Sequence, residues 1–528
     1  MCIRQRKAVP SKPIYLGVIL CWLVSLTIFG SAQGASTQIQ PSRPRYGGTL
    51  RLSDLYDGMS IGYPPKLATV YGMRQAAPAI ETLFRSDKTG KSVPWLATKS
   101  EDNVAAKNVT LTLRKGVKFH DGTDFNAEAV KWNLNQCMSA RTAGTEKFQS
   151  VDVVDDDTVR INLTEWDSTV TSNLAQIIGM MISPTAYKKN GEEWCSKNPV
   201  GTGPFQFVSW DKDVRTTYKK FDDYWQKGKP YLERIEWIPI ADTLTRQLSF
   251  RRGELDLAVT IAPKDVAGLE KDGYIVVRQR IGSGAVSVIP DSANPNSPFA
   301  NLKVRQATQY AIDTEALVKA IFYGEAEPAN QWIYKGHWGY NPSVVGYPYN
   351  PAKAKQLLAE AGYPNGFKTK LLYRTNPQDD QTFTAVQGYF EAVGIHAELD
   401  PSQTARYNQI SSQGGKWEGL VVDAIKANPD VAAALAMQYA GGGRSFVSML
   451  VPEDYLKAIQ NAITAPNFET KQKWSREVMK LMIDKYCLQI VLFCRLDLAV
   501  SQTYLHNHGF LETPNTAWWT PEDAWVER

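Results

Sequence analysis

The chain carries few residue constellations of the kind that break bonds. Its five histidines are His120, His337, His396, His506 and His508. His506-x-His508 puts two imidazoles on one face of a strand, a spacing metal sites use, but no third ligand neighbours them in sequence. Asp222-Asp223 and Asp379-Asp380 are paired acids. Adjacent side chains on a strand or loop point apart, which defeats general acid–base work. There is no Gly-x-Ser-x-Gly elbow and no His-Glu-x-x-His helix. Thr89-Gly-Lys-Ser92 imitates the end of a phosphate loop. The glycine such a loop needs five residues earlier is replaced by Arg85, and Val93-Pro94 stops a following helix, so the stretch is expected to be a turn. Aromatic side chains make up 11% of the chain and include fifteen Trp. Trp338 and Tyr340, in an irregular Gly/Pro-rich stretch, have two readings: rings lining a binding cleft, or rings packing a loop.

The stretch Leu111 to Trp132 has the clearest local design. Val109, Leu111 and Leu113 alternate with Thr110, Thr112 and Arg114, which predicts a half-buried strand. Lys115-Gly116 reverses the chain, Val117 and Phe119 form a second short apolar face, and the turn His120-Asp-Gly-Thr123 follows, with His120 expected to cap it. Asn126 is a helix N-cap, Glu128 sits where the helix dipole favours an acid, and Val130 and Leu134 fall at i, i+4. Further on, Pro351 starts a helix capped by Asn350 and closed by Gly362, and Gly253 ends another before a strand at Leu255.

At 528 residues the chain exceeds what one core usually supports and should fold as more than one lobe. Apolar and charged fractions of 43% and 21% are those of a globular protein. The net charge of +5 is concentrated at the start, where Arg4, Arg6, Lys7 and Lys12 precede any acid; without them the balance is about +1, which argues against a nucleic-acid surface. That basic start, the apolar run Ile14 to Phe29 and the small residues Gly30, Ser31, Ala32 and Gly34 make a secretory signal, with an uncleaved membrane anchor as the alternative. The run falls short of the roughly 20 residues that span a bilayer. Export permits disulfides. Cys137 with Cys195 is the expected pair, and four buried thiols at 137, 195, 487 and 494 are the alternative.

The Leu111–Trp132 stretch closely resembles the signature of the bacterial solute-binding proteins of family five, the extracytoplasmic receptors of peptide, nickel and oligosaccharide ABC importers. Further landmarks carry the same resemblance: Pro78-Ala-Ile-Glu-Thr-Leu-Phe84, Gly201-Thr-Gly-Pro204, Tyr218 to Trp225, Phe299 to Asp313, and Tyr347 to Gly362. It covers most of residues 46 to 500 and is weakest from 400 to 450. It implies a two-lobed α/β periplasmic-binding-protein fold of the large, peptide-binding type with a discontinuous first lobe. The implied bounds are a signal peptide at 1–34, a flexible leader at 35–45, lobe I at 46–285 and 490–528 with a subdomain at about 76–200, and lobe II at 286–489. The chain would cross between lobes near Ile281-Gly-Ser-Gly284 and near Gln489 to Phe493.

The resemblance also implies a periplasmic, monomeric receptor that needs no cofactor, captures a small solute or peptide, and delivers it to a membrane permease with ATPase subunits. The loop Asp57 to Tyr63, with Met59 and Tyr63, corresponds to a cleft-lining segment. Arg374 falls where dipeptide-binding relatives place an arginine that reads a carboxylate, a role suited to the planar guanidinium fork. Those relatives also hold the ligand amine with an aspartate, whose place here falls near Ile425 or Lys426. Either Asp423, two residues away, takes the amine, or the site lacks an amine anchor and Lys426 adds a cation. A secreted hydrolase and a ligand sensor are the rival functions.

The small residues after the apolar run place signal cleavage between about residues 30 and 36. N-terminal sequencing of the exported protein should therefore begin within that window, and a chain starting at Met1 would establish the anchor instead.

Overall fold

The computed structural model describes residues 43–527 apart from 68, 281–283, 412–413, 424–427, 441–444, 516–517 and 520. The expected signal segment lies outside these residues. Period-2 patterning does form a strand at Asn108–Leu113, with Val109, Leu111 and Leu113 buried and the intervening polar residues on the outer face. It belongs to a four-stranded antiparallel sheet in the order Ala97–Asn103, Asn108–Leu113, Thr158–Leu163, Phe148–Asp155. Helix Ala127–Ser139 packs Val130 and Leu134 into the same core. Asn126 caps it, its side chain accepting the Ala129 N–H at 3.0 Å. Gly116 turns the chain at a φ of 73°. The short strand expected at Val117–Phe119 is reduced to one bridge, Lys118 with Asp124, because the chain doubles back at once; Val117 and Phe119 are still buried.

The main sheet has twelve strands. In one half Thr49–Ser53 lies parallel to Arg234–Trp237 and Leu257–Val259. In the other Phe367–Arg374 lies parallel to Ile395–Ser402 and Leu420–Asp423, with helix Pro377–Glu391 as the crossover. Strand Ile490–Ser501 runs through both. Its first part pairs with Val286–Pro290 and Ala326–Pro328, its last part with Ile275–Arg280 and Leu257–Val259. The partners change between Arg495, opposite Ala326, and Leu496, opposite Arg280. The chain passes from Arg280 to Val286 as well, and residues 281–283 of that expected crossing lie outside the described residues.

Several sequence landmarks meet at one carboxylate. Glu81 is fully buried. Its Oε1 accepts the Trp95 indole N–H at 2.7 Å and the Tyr224 hydroxyl at 2.8 Å. Its Oε2 accepts the Thr202 hydroxyl at 2.8 Å and the Trp225 indole N–H at 3.0 Å. Burial pushes the Glu81 carboxyl upward, and the Arg85 guanidinium, at 3.6 Å, pulls the other way. Gly201 and Gly203 let their turn lie flat on Pro78-Ala79: a Cβ at Gly201 would stand 2.2 Å from the Ala79 carbonyl oxygen, and one at Gly203 2.5 Å from that of Pro78. His120 caps this turn from outside rather than its own, Nε2–H donating to the Gly203 carbonyl at 2.9 Å.

The expected Cys137–Cys195 disulfide is absent; all four cysteines in the described residues are free and buried. Cys137 sits in the core of the four-stranded sheet and Cys195 in the core against Thr49–Ser53, so each thiol serves a different apolar cluster.

Glu81→Ala would strand four donors inside the protein. Breaking such a buried network by removing one member typically costs about 3–5 kcal/mol. Urea denaturation should show a loss of that size, with Glu81→Gln retaining part of it.

Candidate functional site

In an open α/β sheet, ligands are read at the carboxyl ends of the parallel strands. Three such ends lie side by side here. Arg374 is in register with Ser402, and Leu372 with Val421, so Arg374 and Asp423 close neighbouring strands at about the same level. Arg374 is exposed, and among the described residues its guanidinium makes no hydrogen bond or ion pair. Asp423 is fully buried. It accepts the Tyr439 hydroxyl at 2.6 Å, and that hydroxyl in turn accepts the Gln489 amide N–H at 2.6 Å. Ser287 donates to Gln489 Oε1 at 2.9 Å, tying the last residue of Leu420–Asp423 to strand Val286–Pro290 and to the residue just before strand Ile490–Ser501. The Tyr407 hydroxyl donates to the Val422 carbonyl; burial raises it, the Asp423 charge adds to that, and Arg374 lowers it. Arg374 and Asp423 thus end neighbouring strands, one exposed and one buried. Lys426 lies outside the described residues.

The other expected residues are spread more widely. Trp338 is buried, with its ring 5.3 Å from that of Phe468 and its carbonyl accepting Gln472 at 2.8 Å. Tyr340 is half-buried against the same apolar core, which also contains Trp338, Tyr407 and Tyr439. Met59 and Tyr63 belong to the other half. Met59 is 79% exposed. Tyr63 is buried, donates to Gln136 Oε1 at 3.1 Å and packs 5.4 Å from the Tyr187 ring.

Two groupings escaped sequence reasoning. Arg74 is buried and donates to Asp54 at 2.9 Å and to Asp497, which lies just past the point where the central strand changes partners. Trp519 donates to the Arg74 carbonyl at 2.7 Å, and the guanidinium lies 5.3 Å from the Phe510 ring. These residues come from four separated stretches, and nothing in their local patterns marks them. The second is His337. Its Nε2–H donates to the Pro429 carbonyl at 2.7 Å, and its Nδ1 accepts the Gly339 N–H at 3.1 Å, an arrangement that only the neutral imidazole satisfies. The Thr89–Ser92 stretch is a turn, organised by Asp87 accepting the Thr89 and Lys91 N–H groups at 2.7 and 3.1 Å. His506 stacks on Trp525 at 4.1 Å, and among the described residues no three metal-ligating side chains come together.

The family model for bacterial extracellular solute-binding proteins, family 5 (middle region), matches residues 91–446. The chain belongs to this family. A glutathione-binding protein, GsiB, of Pectobacterium atrosepticum is 36% identical over 348 residues, which span 64% of this chain and 66% of that relative. Among solved structures, HbpA2 of Haemophilus parasuis aligns with a TM-score of 0.81 at 22% identity, covering 91% of this chain and 100% of that one. DppA of Helicobacter pylori, a periplasmic binding protein in complex with the peptide STSA, aligns with a TM-score of 0.73 at 23% identity, covering 92% and 99%. The two-lobed periplasmic-binding-protein fold with a discontinuous first lobe follows. So does the class of activity: this family 5 member binds a solute, and the hydrolase alternative falls away. No helix among the described residues is long and apolar enough to cross a membrane.

Burial lowers both His337 and His120 to about 4. The unfolded family 5 chain would bind protons on them at about 6.5. Between those values the unfolded state holds more protons, so stability present above pH 6.5 is lost as the pH falls toward 4, at up to about 1.4 kcal/mol per pH unit for each histidine. Urea midpoints measured at stepped pH should fall across that window, and His337→Gln should make the fall shallower.

Proposed function

We propose that this protein is the extracytoplasmic receptor of an ABC importer, capturing a small carboxylate-bearing solute between two lobes and passing it to a membrane permease driven by cytoplasmic ATPases. Family membership supports the receptor role. Residues 46–285 and 490–528 are assigned to lobe I, with a subdomain at about 76–200, and residues 286–489 to lobe II. The change of partners at Arg495 and Leu496 supports a hinge in the central strand. Residues 1–34 are assigned as the export signal and the mature chain to the periplasm.

Arg374 carries the ligand class. It presents an exposed, unengaged guanidinium at the carboxyl edge of a parallel strand, where a planar two-oxygen group is held by two parallel hydrogen bonds. Asp423 is buried and already accepts from Tyr439, which supports reading it as part of the strand-end scaffold rather than as the anchor of a ligand amine. Arg374 then makes the site a cationic one, to which Lys426, assigned there by the resemblance alone, would add. Glutathione, named for the GsiB relatives, carries carboxylates and suits this chemistry. Mass spectrometry of the small molecule released when the purified protein is denatured would identify the solute; a ligand without an acidic group would sink this reading.

Losing one partner of a desolvated Arg–carboxylate pair costs about 2–5 kcal/mol. Titration calorimetry with the released solute should show Arg374→Ala weakening binding by roughly 30-fold or more. Arg374→Lys should recover only part of that, since a point charge does not reproduce the fork. Asp423→Asn should change affinity by less than about threefold, because its side-chain oxygen still accepts from Tyr439.

A further inference from the structure

Helix Glu453–Ile463 ends on carbonyls that another part of the chain satisfies. The Ser168 hydroxyl donates to the Ala462 carbonyl at 2.9 Å, and the Ser168 N–H to the Ile463 carbonyl at 2.7 Å. The Trp166 indole N–H donates to the Ala465 carbonyl at 2.9 Å. The last turn of a helix leaves its carbonyls open, and here the donors come from the four-stranded-sheet region. Lys471 reinforces the contact. Its ammonium is buried, donates to the Ser168 carbonyl at 3.0 Å and pairs with buried Asp430. Asp430 also caps helix Val431–Leu435 by accepting the Ala433 N–H at 3.1 Å.

A second contact lies alongside. The Thr89 carbonyl in the Asp87–Lys91 turn accepts the Trp338 N–H at 3.3 Å. Gly90 lies flat against the His337 ring, where a Cβ would stand 2.5 Å from Nε2. Lys91 Nζ sits 4.7 Å from the centre of the Phe468 ring. The phosphate-loop lookalike is therefore a docking turn. Both contacts join the region built on the four-stranded sheet to segments that flank Asn428–Asp430, a short way along the chain from Asp423.

We infer that Trp166 and Ser168, steadied by Lys471, form a latch that holds the two lobes together beside the binding site and sets how long the closed form lasts. The inference rests on the two-lobe reading given above. The chemistry suits a reversible catch. Apart from the Lys471–Asp430 pair, which stays within one lobe, the hydrogen bonds of these two contacts run from neutral donors or the Lys471 ammonium to carbonyls, Lys91 adds a cation beside a ring, and water replaces each of them when the surfaces part. Lys471 keeps Asp430 when Ser168 leaves, so opening strands no buried charge.

Hydrogen exchange of the Ser168 amide reads opening directly and needs no ligand. In the full exported chain, Trp166→Phe with Ser168→Ala removes two side-chain donors while keeping an aromatic ring at 166 and leaving the residue-168 N–H in place. That amide should exchange about tenfold faster in the double variant, while amides of Asn108–Leu113 keep their wild-type rates. Small-angle scattering of the same samples should show a larger radius of gyration for the variant. Unchanged exchange at residue 168 overturns the latch. A rise shared by Asn108–Leu113 overturns it too, because it reports unfolding of the sheet region. Faster exchange at residue 168 with an unchanged radius overturns the two-lobe closure on which the latch rests.

Discussion

Glu81 is a carboxylate sealed from water, and donors from three distant stretches close on it. A buried carboxyl is costly unless its lone pairs are filled, and two indoles, a phenol and a threonine hydroxyl fill them here. The geometry of the first half depends on that condition. Thr202 reaches Glu81 only because Gly201 and Gly203 allow the turn to lie on Pro78-Ala79. Tyr224 and Trp225 follow the strand Arg215–Lys220, whose position in the main sheet is thereby tied to the edge of the smaller one. Arg85 continues the network, lying 3.3 Å from the centre of the Trp95 ring and donating to Glu522 at 2.8 Å, so the C-terminal segment is anchored to the same point.

The second half obeys a similar condition with different chemistry. Arg305 is buried with no carboxylate partner among the described residues, and its donors go to the carbonyls of Phe299, Ala300, Tyr486 and Cys487. Burial lowers its affinity for the proton, yet four carbonyl dipoles hold the cation in place. Those carbonyls lie at the start of helix Leu302–Tyr310 and just before the central strand. The strand that crosses the molecule is thus fixed at its entry by Arg305 and met further on by Arg74 through Asp497.

Much of the fold was legible because its signals are local. The Asn126 cap, the Asn350 cap ahead of Pro351–Glu360 and the alternation along Asn108–Leu113 need only a few neighbouring residues to be recognised. Landmarks such as Gly201-Thr-Gly-Pro204 were visible as patterns, but their meeting place was not, since Glu81 and Thr202 are remote in sequence. The candidate site was legible by half. Arg374 could be placed at a strand end from the run before it, whereas the sealing of Asp423 depends on Tyr439, Gln489 and Ser287, which no local pattern links to it. Spacing likewise gave no hint that Cys137 and Cys195 belong to separate cores.

Those thiols have a practical side. Burial pushes Cys137, Cys487 and Cys494 up to about 12 and Cys195 to about 11. At neutral pH almost none of the reactive thiolate is present, and none of the four sulfurs is open to solvent. Once the signal proposed at residues 1–34 is removed these four are the only cysteines, and the chain becomes its own silent background for thiol labelling. A single cysteine introduced on each half would take a dye pair with no native residue to remove, so the distance between the halves can be followed optically in molecules whose cores are untouched.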